Sequence, residues 1–325
     1  MELQNRTRLA ARLFFGGCGK DTNLATAIAR GTYGLDPSLS GLVAASEAWP
    51  VFEQPIQTHF GIFPPDDFPT RTGCDLVVVA SAYAPQPVEH MVVSVSAGRF
   101  QNHLMVVGDR IWEPRGGNVL APSRPQPFRE MPLDWTRAYG GQTQYEGLDI
   151  THPLNPAGRG FYTVMDAAVH QPLPNVENPH APIRKWDDRP LPASWSPVSD
   201  GPTWQMATWL QERAQRQPTA TSKEVMEQGS KCFPTPSTPA MLLPALVPGD
   251  PVHVNLGAYQ IQLVVPDFRL GLEARVGRQV IRRRLEIIGL WVFLPVRLVV
   301  FTFRTTFRYE LRPNERRSAV LNQDV

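Results

Sequence analysis

Met91-Val92-Val93-Ser94-Val95-Ser96-Ala97-Gly98-Arg99-Phe100-Gln101-Asn102-His103-Leu104-Met105-Val106-Val107 reads as two strands and a turn. Residues 91–97 alternate in part between apolar and small polar side chains, Gly98-Arg99 interrupts them, and residues 100–107 resume, which is the pattern of a β-hairpin. Gly108-Asp109 then predicts a turn into Arg110-Ile111-Trp112, continuing a meander of antiparallel strands. Upstream, the valine-rich run 75–84 is another compact apolar strand. Strand patterns return at 252–256, 260–265, 268–276 and 296–311. In the last of these Val299, Phe301, Phe303, Thr305, Phe307 and Tyr309 fall on one face and Arg304, Thr306, Arg308 and Glu310 on the other. That alternation predicts a half-buried strand on the solvent side of a sheet, whose edge near residues 304–309 is open to a partner strand.

Between the strand-rich ends lies a proline-rich middle. The chain has 325 residues with 33 Pro and 24 Gly, yet 42% of its residues are hydrophobic, so it folds and is rich in loops. From 114 to 202 prolines recur every few residues and remove backbone donors, which predicts long ordered loops. Trp112, Trp135, Trp186 and Trp195 in and beside this region predict that the loops pack over the sheet, because linkers are poor in aromatics. Trp204, Ala207, Leu210 and Ala214 are spaced as one helical face and predict a short helix over 203–216. The expected fold is mainly β: antiparallel, sandwich-like sheets covered by Pro-rich loops, with one or two short helices. One domain is expected over 1–312, with the loop region at about 114–250 and a polar tail at 313–325.

Composition narrows the function classes. Lys and Arg total 32 and Asp and Glu 30, so a formal charge of +2 gives no drive toward nucleic acid or acidic lipid. Cys18, Cys74 and Cys232 are widely spaced and odd in number, arguing against a disulfide framework or zinc knuckle and fitting a reducing cytoplasm. The polar, charged start of the chain does not resemble a signal peptide. The apolar run 287–303 contains Pro295 and Arg297 and predicts core strands, not a membrane span.

Familiar chemical motifs fail one by one. Gly16-Gly17-Cys18-Gly19-Lys20 lacks a phosphate loop's first glycine, since Phe14 stands there, and its Ser or Thr, since Asp21 does; an ordinary turn is expected. The seven histidines, His59, His90, His103, His152, His170, His180 and His253, show no ligand spacing and are expected on the surface or in loops. Asp66-Asp67 and Asp187-Asp188 sit beside prolines, where Asp caps turns. Arg282-Arg283-Arg284 predicts a solvated edge that discourages pairing. No cofactor or metal is implied.

Three blocks stand out between 107 and 160. They are Gly108-Asp109-Arg110-Ile111-Trp112, then Met131-Pro132-Leu133-Asp134-Trp135-Thr136-Arg137-Ala138-Tyr139-Gly140-Gly141, then Asn155-Pro156-Ala157-Gly158-Arg159-Gly160. Each joins glycines that allow tight backbone, aromatics that fill space, and a guanidinium that can clamp carbonyls or carboxylates. Two readings stay open: Arg110, Arg137 and Arg159 satisfy buried acceptors within the loop layer, or these arginines and the tryptophans line a protein-binding groove.

These blocks, followed by Leu173-Pro174-Asn175-Val176-Glu177, resemble a bacterial family first catalogued as a domain of unknown function and later linked to type VI secretion as an effector adaptor or chaperone. The resemblance extends through 64–75, with Asp67 and Gly73, through Ala82-Tyr83-Ala84-Pro85, and to Pro248-Gly249-Asp250-Pro251-Val252, covering about 25–265. The chain departs from the family pattern at Gln205-Met206-Ala207-Thr208 and at Phe233-Pro234-Thr235-Pro236-Ser237. The resemblance implies a cytoplasmic, non-enzymatic protein that binds a toxic effector and helps load it onto a spike protein. The alternative from another class is a β-rich hydrolase or carbohydrate-active protein in which carboxylates such as Asp109 and Glu177 converge in a loop-lined cleft.

Overall fold

The computed structural model describes every residue except 18–21, 46, 69–71, 118, 215–220, 311, 313 and 324–325. Cys18, Gly19 and Lys20 of the glycine-rich turn, and Arg216 at the end of the expected helix, lie outside the described residues. The protein is mainly β, built on seven-, five- and four-stranded sheets that contribute to one main core.

The central strands Cys74–Val79 and Glu286–Phe293 of the seven-stranded sheet are buried on both faces, which explains why they read as apolar runs. The order of the sheet is Leu242–Leu243, Cys74–Val79, Glu286–Phe293, Leu298–Glu310, Thr22–Leu35, Ala10–Gly17, with Leu42–Ala44 also paired to Thr22–Leu35. Leu76, Val78, Leu290, Val292, Phe301 and Phe303 enter the main core. Val77, Trp291, Phe293 and Val300 point the other way, into an aromatic layer with Phe52 and Phe63. Leu298–Glu310 pairs with Thr22–Leu35 along its whole length and with Glu286–Phe293 as far as Arg304. It is therefore an interior strand as far as Arg304, not the solvent-side strand expected there, whereas from Thr305 to Glu310 it is paired to Thr22–Leu35 alone and alternates as predicted, with Thr305, Phe307 and Tyr309 buried and Arg308 and Glu310 exposed. Thr22–Leu35, which carries little strand signal, pairs small residues against large ones: Ala25 opposite Phe307, Ala29 opposite Phe303, Gly31 opposite Phe301.

The expected hairpin is present as His90–Ala97 and Phe100–Val107, with Ala97 opposite Phe100 and Gly98 at φ +56°. The meander beyond it is not. Trp112–Pro114 pairs with Leu120–Pro122, and Phe100–Val107 takes Val176–Glu177 as its outer neighbour. At the exit the Gly108 N–H donates to Glu89 O at 2.9 Å and the Val107 N–H to Asn175 O at 2.8 Å, which carries the chain out of the sheet. Pro251–Asn255 and Gln260–Val264 complete this five-stranded sheet. The run 75–84 likewise divides at Ala80, and Ser81–Val88 leaves to pair with Phe128–Pro132.

The four-stranded sheet corrects the reading of the C-terminus. Arg317–Gln323 lies between Glu2–Asn5 and Leu270–Val276, with Ala319 and Leu321 fully buried, where a polar tail was expected. Gln279–Arg284 forms the opposite edge and leaves Arg282, Arg283 and Arg284 exposed.

Among the described residues three α-helices occur, where one or two are expected: Met165–Ala168, Gly201–Ala214 and Ser222–Gly229. In Gly201–Ala214 Trp204 is buried but Leu210 is 41% exposed, so the predicted apolar face is engaged only at its first turn. Ser222–Gly229 begins with a Thr221/Glu224 capping box. No helix of the described residues is long and apolar enough to cross a membrane.

The Pro-rich layer packs on the sheets as expected. Trp195 is buried in the main core, its Nε1 donating to Asn102 Oδ1 at 2.9 Å, while the Val78 N–H donates to Trp195 O at 2.9 Å. A second, smaller core of Trp112, Leu120, Tyr139, Tyr162, Leu173 and Ile183 lies within this layer.

Candidate functional site

Around that smaller core the motif blocks meet. Tyr139–Gly140 and Arg159–Gly160 form a short parallel ladder, placing Tyr139 opposite Arg159 and Gly140 opposite Gly160. Asn155 locks it: its buried side-chain Nδ2 donates to Trp135 O at 2.8 Å and Tyr139 O at 2.9 Å, and its carbonyl accepts the N–H groups of Gly141 at 2.8 Å and Gly158 at 3.3 Å. Gly140 has φ +147°, and a Cβ there would lie 2.2 Å from Asn155 O. Pro156 is exposed in the turn between them.

Residues 173–177 join from the other side. Asn175, fully buried, donates through Nδ2 to Val107 O and to Asp109 Oδ1, both at 3.0 Å, and its N–H donates to Arg137 O at 2.8 Å. Arg110 Nη2 donates to Pro174 O at 2.9 Å and pairs with Glu177 Oε1, while Glu177 Oε2 accepts the Ile183 N–H at 3.1 Å. Their side chains are only 10% and 3% exposed. Glu177 is thus engaged on both oxygens and covered, whereas a hydrolytic carboxyl must reach its substrate.

The outer end of the junction is charged. Arg137 Nη1 lies 3.4 Å and Arg159 Nη1 3.8 Å from the same Asp109 Oδ1. Asp109 is 65% exposed, Arg137 29% and Arg159 27%, so the three reach solvent together. Burial and then the neighbouring Arg137 charge lower the Arg159 pKa, opposed by Asp109 and Asp134. Arg159 Nε also holds Thr136 O at 3.0 Å. Arg110 is therefore covered and engaged within the fold, while Arg137 and Arg159 serve the fold at one end and face solvent at the other.

Other predicted residues lie elsewhere. Met131 and Pro132 pair with Ala82 and Ser81, and Met131 belongs to the main core. Trp135 turns away, its Nε1 donating to Pro197 O at 2.8 Å and its ring 5.0 Å from Trp204. Trp112 is buried in the smaller core. The two segments that depart from the family pattern meet each other: Gln205 donates to Phe233 O at 2.8 Å and accepts the Phe233 N–H at 3.2 Å. Thr235 and Ser237 then donate through their hydroxyls to the buried Asp75.

Sequence reasoning missed His152. Its ring sits 5.2 Å from Tyr139 and 5.3 Å from Phe161, and its Nδ1 accepts the Asn155 N–H at 3.2 Å. Burial, then the Arg189 charge, press its pKa from 6.5 down to about 4. Folding thus favours the neutral imidazole, so its contribution is complete above pH 6.5 and is lost as the pH falls toward 4. We expect the melting temperature to fall across that window and His152→Asn, which keeps an acceptor, to remove part of the slope; an unchanged slope would place the sensitivity elsewhere.

Asp66 and Asp188 show what the paired carboxylates do. Asp188 Oδ2 accepts the N–H groups of Arg184 and Lys185, both at 2.8 Å, closing a turn as expected. Asp66, for which a turn was also expected, is instead buried and paired with Arg30 at 2.7 Å. Among the described residues no group of three or more His, Cys, Asp or Glu is placed to hold a metal.

The family model described as "Uncharacterized protein conserved in bacteria (DUF2169)" matches residues 20–304. No curated protein and no solved structure matches the chain.

Proposed function

We propose, on the premise that the chain belongs to the bacterial DUF2169 family, that it is a non-enzymatic adaptor that binds a toxic effector in the cytoplasm and helps load it onto the spike protein of a type VI secretion apparatus. One observation carries this reading: the blocks on which the resemblance rests converge in a junction whose main chain is satisfied internally and whose charged end is open to solvent. Recognition surfaces gain when loops are already ordered, because little conformational entropy is lost on binding. Proline-fixed segments and the Asn155 and Asn175 ties supply that order. The resemblance supplies the identity of the partners.

The test is co-expression of the tagged chain with the effector and spike proteins of its own bacterium. We expect a stable complex with the effector, and we expect the double variant Arg137→Glu/Arg159→Glu to retain at least about ten-fold less of it while melting cooperatively. A folded wild-type chain that retains neither partner overturns the adaptor reading.

A further inference from the structure

The Asp109 cluster holds more cationic capacity than it uses. Two guanidiniums address one carboxylate oxygen at 3.4 and 3.8 Å, both longer than the roughly 2.7–2.9 Å typical of a charge-assisted hydrogen bond. Asn175 Nδ2 donates to the same oxygen at 3.0 Å, so Asp109 Oδ1 is shared among three donors. Asp109 is the one carboxylate within ion-pair distance of the two guanidiniums among the described residues, Asp134 acts on Arg159 from farther away, and the like charge of Arg137 opposes that of Arg159. A second anion placed between the guanidiniums relieves this repulsion. Planar guanidiniums recognise carboxylates through paired N–H donors, and both arginines are held by the junction without being covered.

We infer that Arg137 and Arg159 form a docking site for a carboxylate on an acidic peptide segment of the partner, with Asp109 as the internal competitor for the same donors. The inference rests on the adaptor reading for the identity of the partner but not for the chemistry of the site. It separates Asp109 from the arginines in a way a purely structural role does not. If the cluster only holds loops, Asp109→Asn weakens it or changes nothing. If Asp109 competes with an incoming carboxylate, the same variant strengthens binding, and its side-chain amide keeps an oxygen for Asn175.

The probe is an acetylated, amidated tetrapeptide of glutamates, with the matching glutamine peptide as control, titrated into the full chain while the arginine side-chain Nε–Hε resonances are followed. We expect saturable shifts at Arg137 and Arg159 with the acidic peptide only. Affinity is expected to rise at least about three-fold in Asp109→Asn and to fall at least about ten-fold in Arg137→Gln, with higher salt weakening all of them. Equal binding of both peptides, no saturable shift, or an Asp109→Asn variant that keeps its native spectrum and binds no better would overturn the inference. Peptide binding in a chain that captures no effector leaves the site standing and removes the adaptor reading. Effector capture without peptide binding does the reverse.

Discussion

Asp66→Ala is expected to lower the stability of the protein by about 3–5 kcal/mol, because it leaves a guanidinium buried without its counter-charge. Arg30 has no solvent exposure and projects from Thr22–Leu35 into the layer outside the seven-stranded sheet. Its Nε donates to Thr302 Oγ1 at 3.1 Å, Nη1 to Pro50 O at 2.6 Å and Nη2 to Asp66 Oδ1 at 2.7 Å. Its Cζ lies 4.5 Å from the ring centres of both Phe52 and Trp291. Burial lowers its pKa, against the opposing pull of Asp66. Asp66 Oδ2 also accepts the Phe52 N–H at 2.7 Å, so the same substitution strips an acceptor from the loop that closes the layer.

The loss should appear as a lower urea midpoint with an unchanged slope. A second variant isolates its cause. Arg30→Met/Asp66→Leu removes both charges and keeps apolar volume, and it should recover at least half of the loss, since replacing a buried pair with packed apolar groups is often near neutral. A single variant within about 1 kcal/mol of wild type, below the ordinary effect of breaking such a pair, would mean that water reaches Arg30.

This pair also shows where sequence reading ends. Strands with β-branched or alternating residues, such as Pro251–Asn255 and Gln260–Val264, are legible because the pattern lies within each segment. Thr22–Leu35 is not, because its Ala25, Ala29 and Gly31 are explained only by the phenylalanines opposite them, near the other end of the chain. Its one large polar residue, Arg30, reads as surface until Asp66 is placed beside it. The C-terminal strand fails for a similar reason: only Ala319 and Leu321 face inward, too few to form a pattern.

In the candidate site the blocks themselves are legible, but not how they divide. Glycine, arginine and aromatic residues mark them as special. Whether Arg110 meets Glu177, and whether Trp135 faces the junction or Trp204, depends on contacts across 67 and 69 positions. One signal was available locally: His152 stands three residues before Asn155 and accepts its N–H.

Gly140→Ala tests the junction as a unit. A side chain at Gly140 meets two obstacles at once. The φ of +147° is one that L residues rarely adopt, and the new Cβ would lie 2.2 Å from Asn155 O and 2.8 Å from Asn155 Cβ. The obstacle is backbone of the segment whose carbonyl accepts the Gly141 and Gly158 N–H groups, so a retreat of Asn155 loosens both turns and the Tyr139–Gly140 ladder. Strain and overpacking together should cost about 2–6 kcal/mol. Gly147→Ala separates the two effects. Its φ is +77° with nothing within 4 Å of the new Cβ, so it carries backbone strain alone and should cost about 1–2 kcal/mol. Equal urea midpoints for the two variants would show that the close approach at Asn155 contributes nothing. A lower midpoint for Gly140→Ala, together with faster amide exchange at Gly141 and Gly158, would show that the blocks hold one another, and that the charged face they present depends on a glycine at position 140.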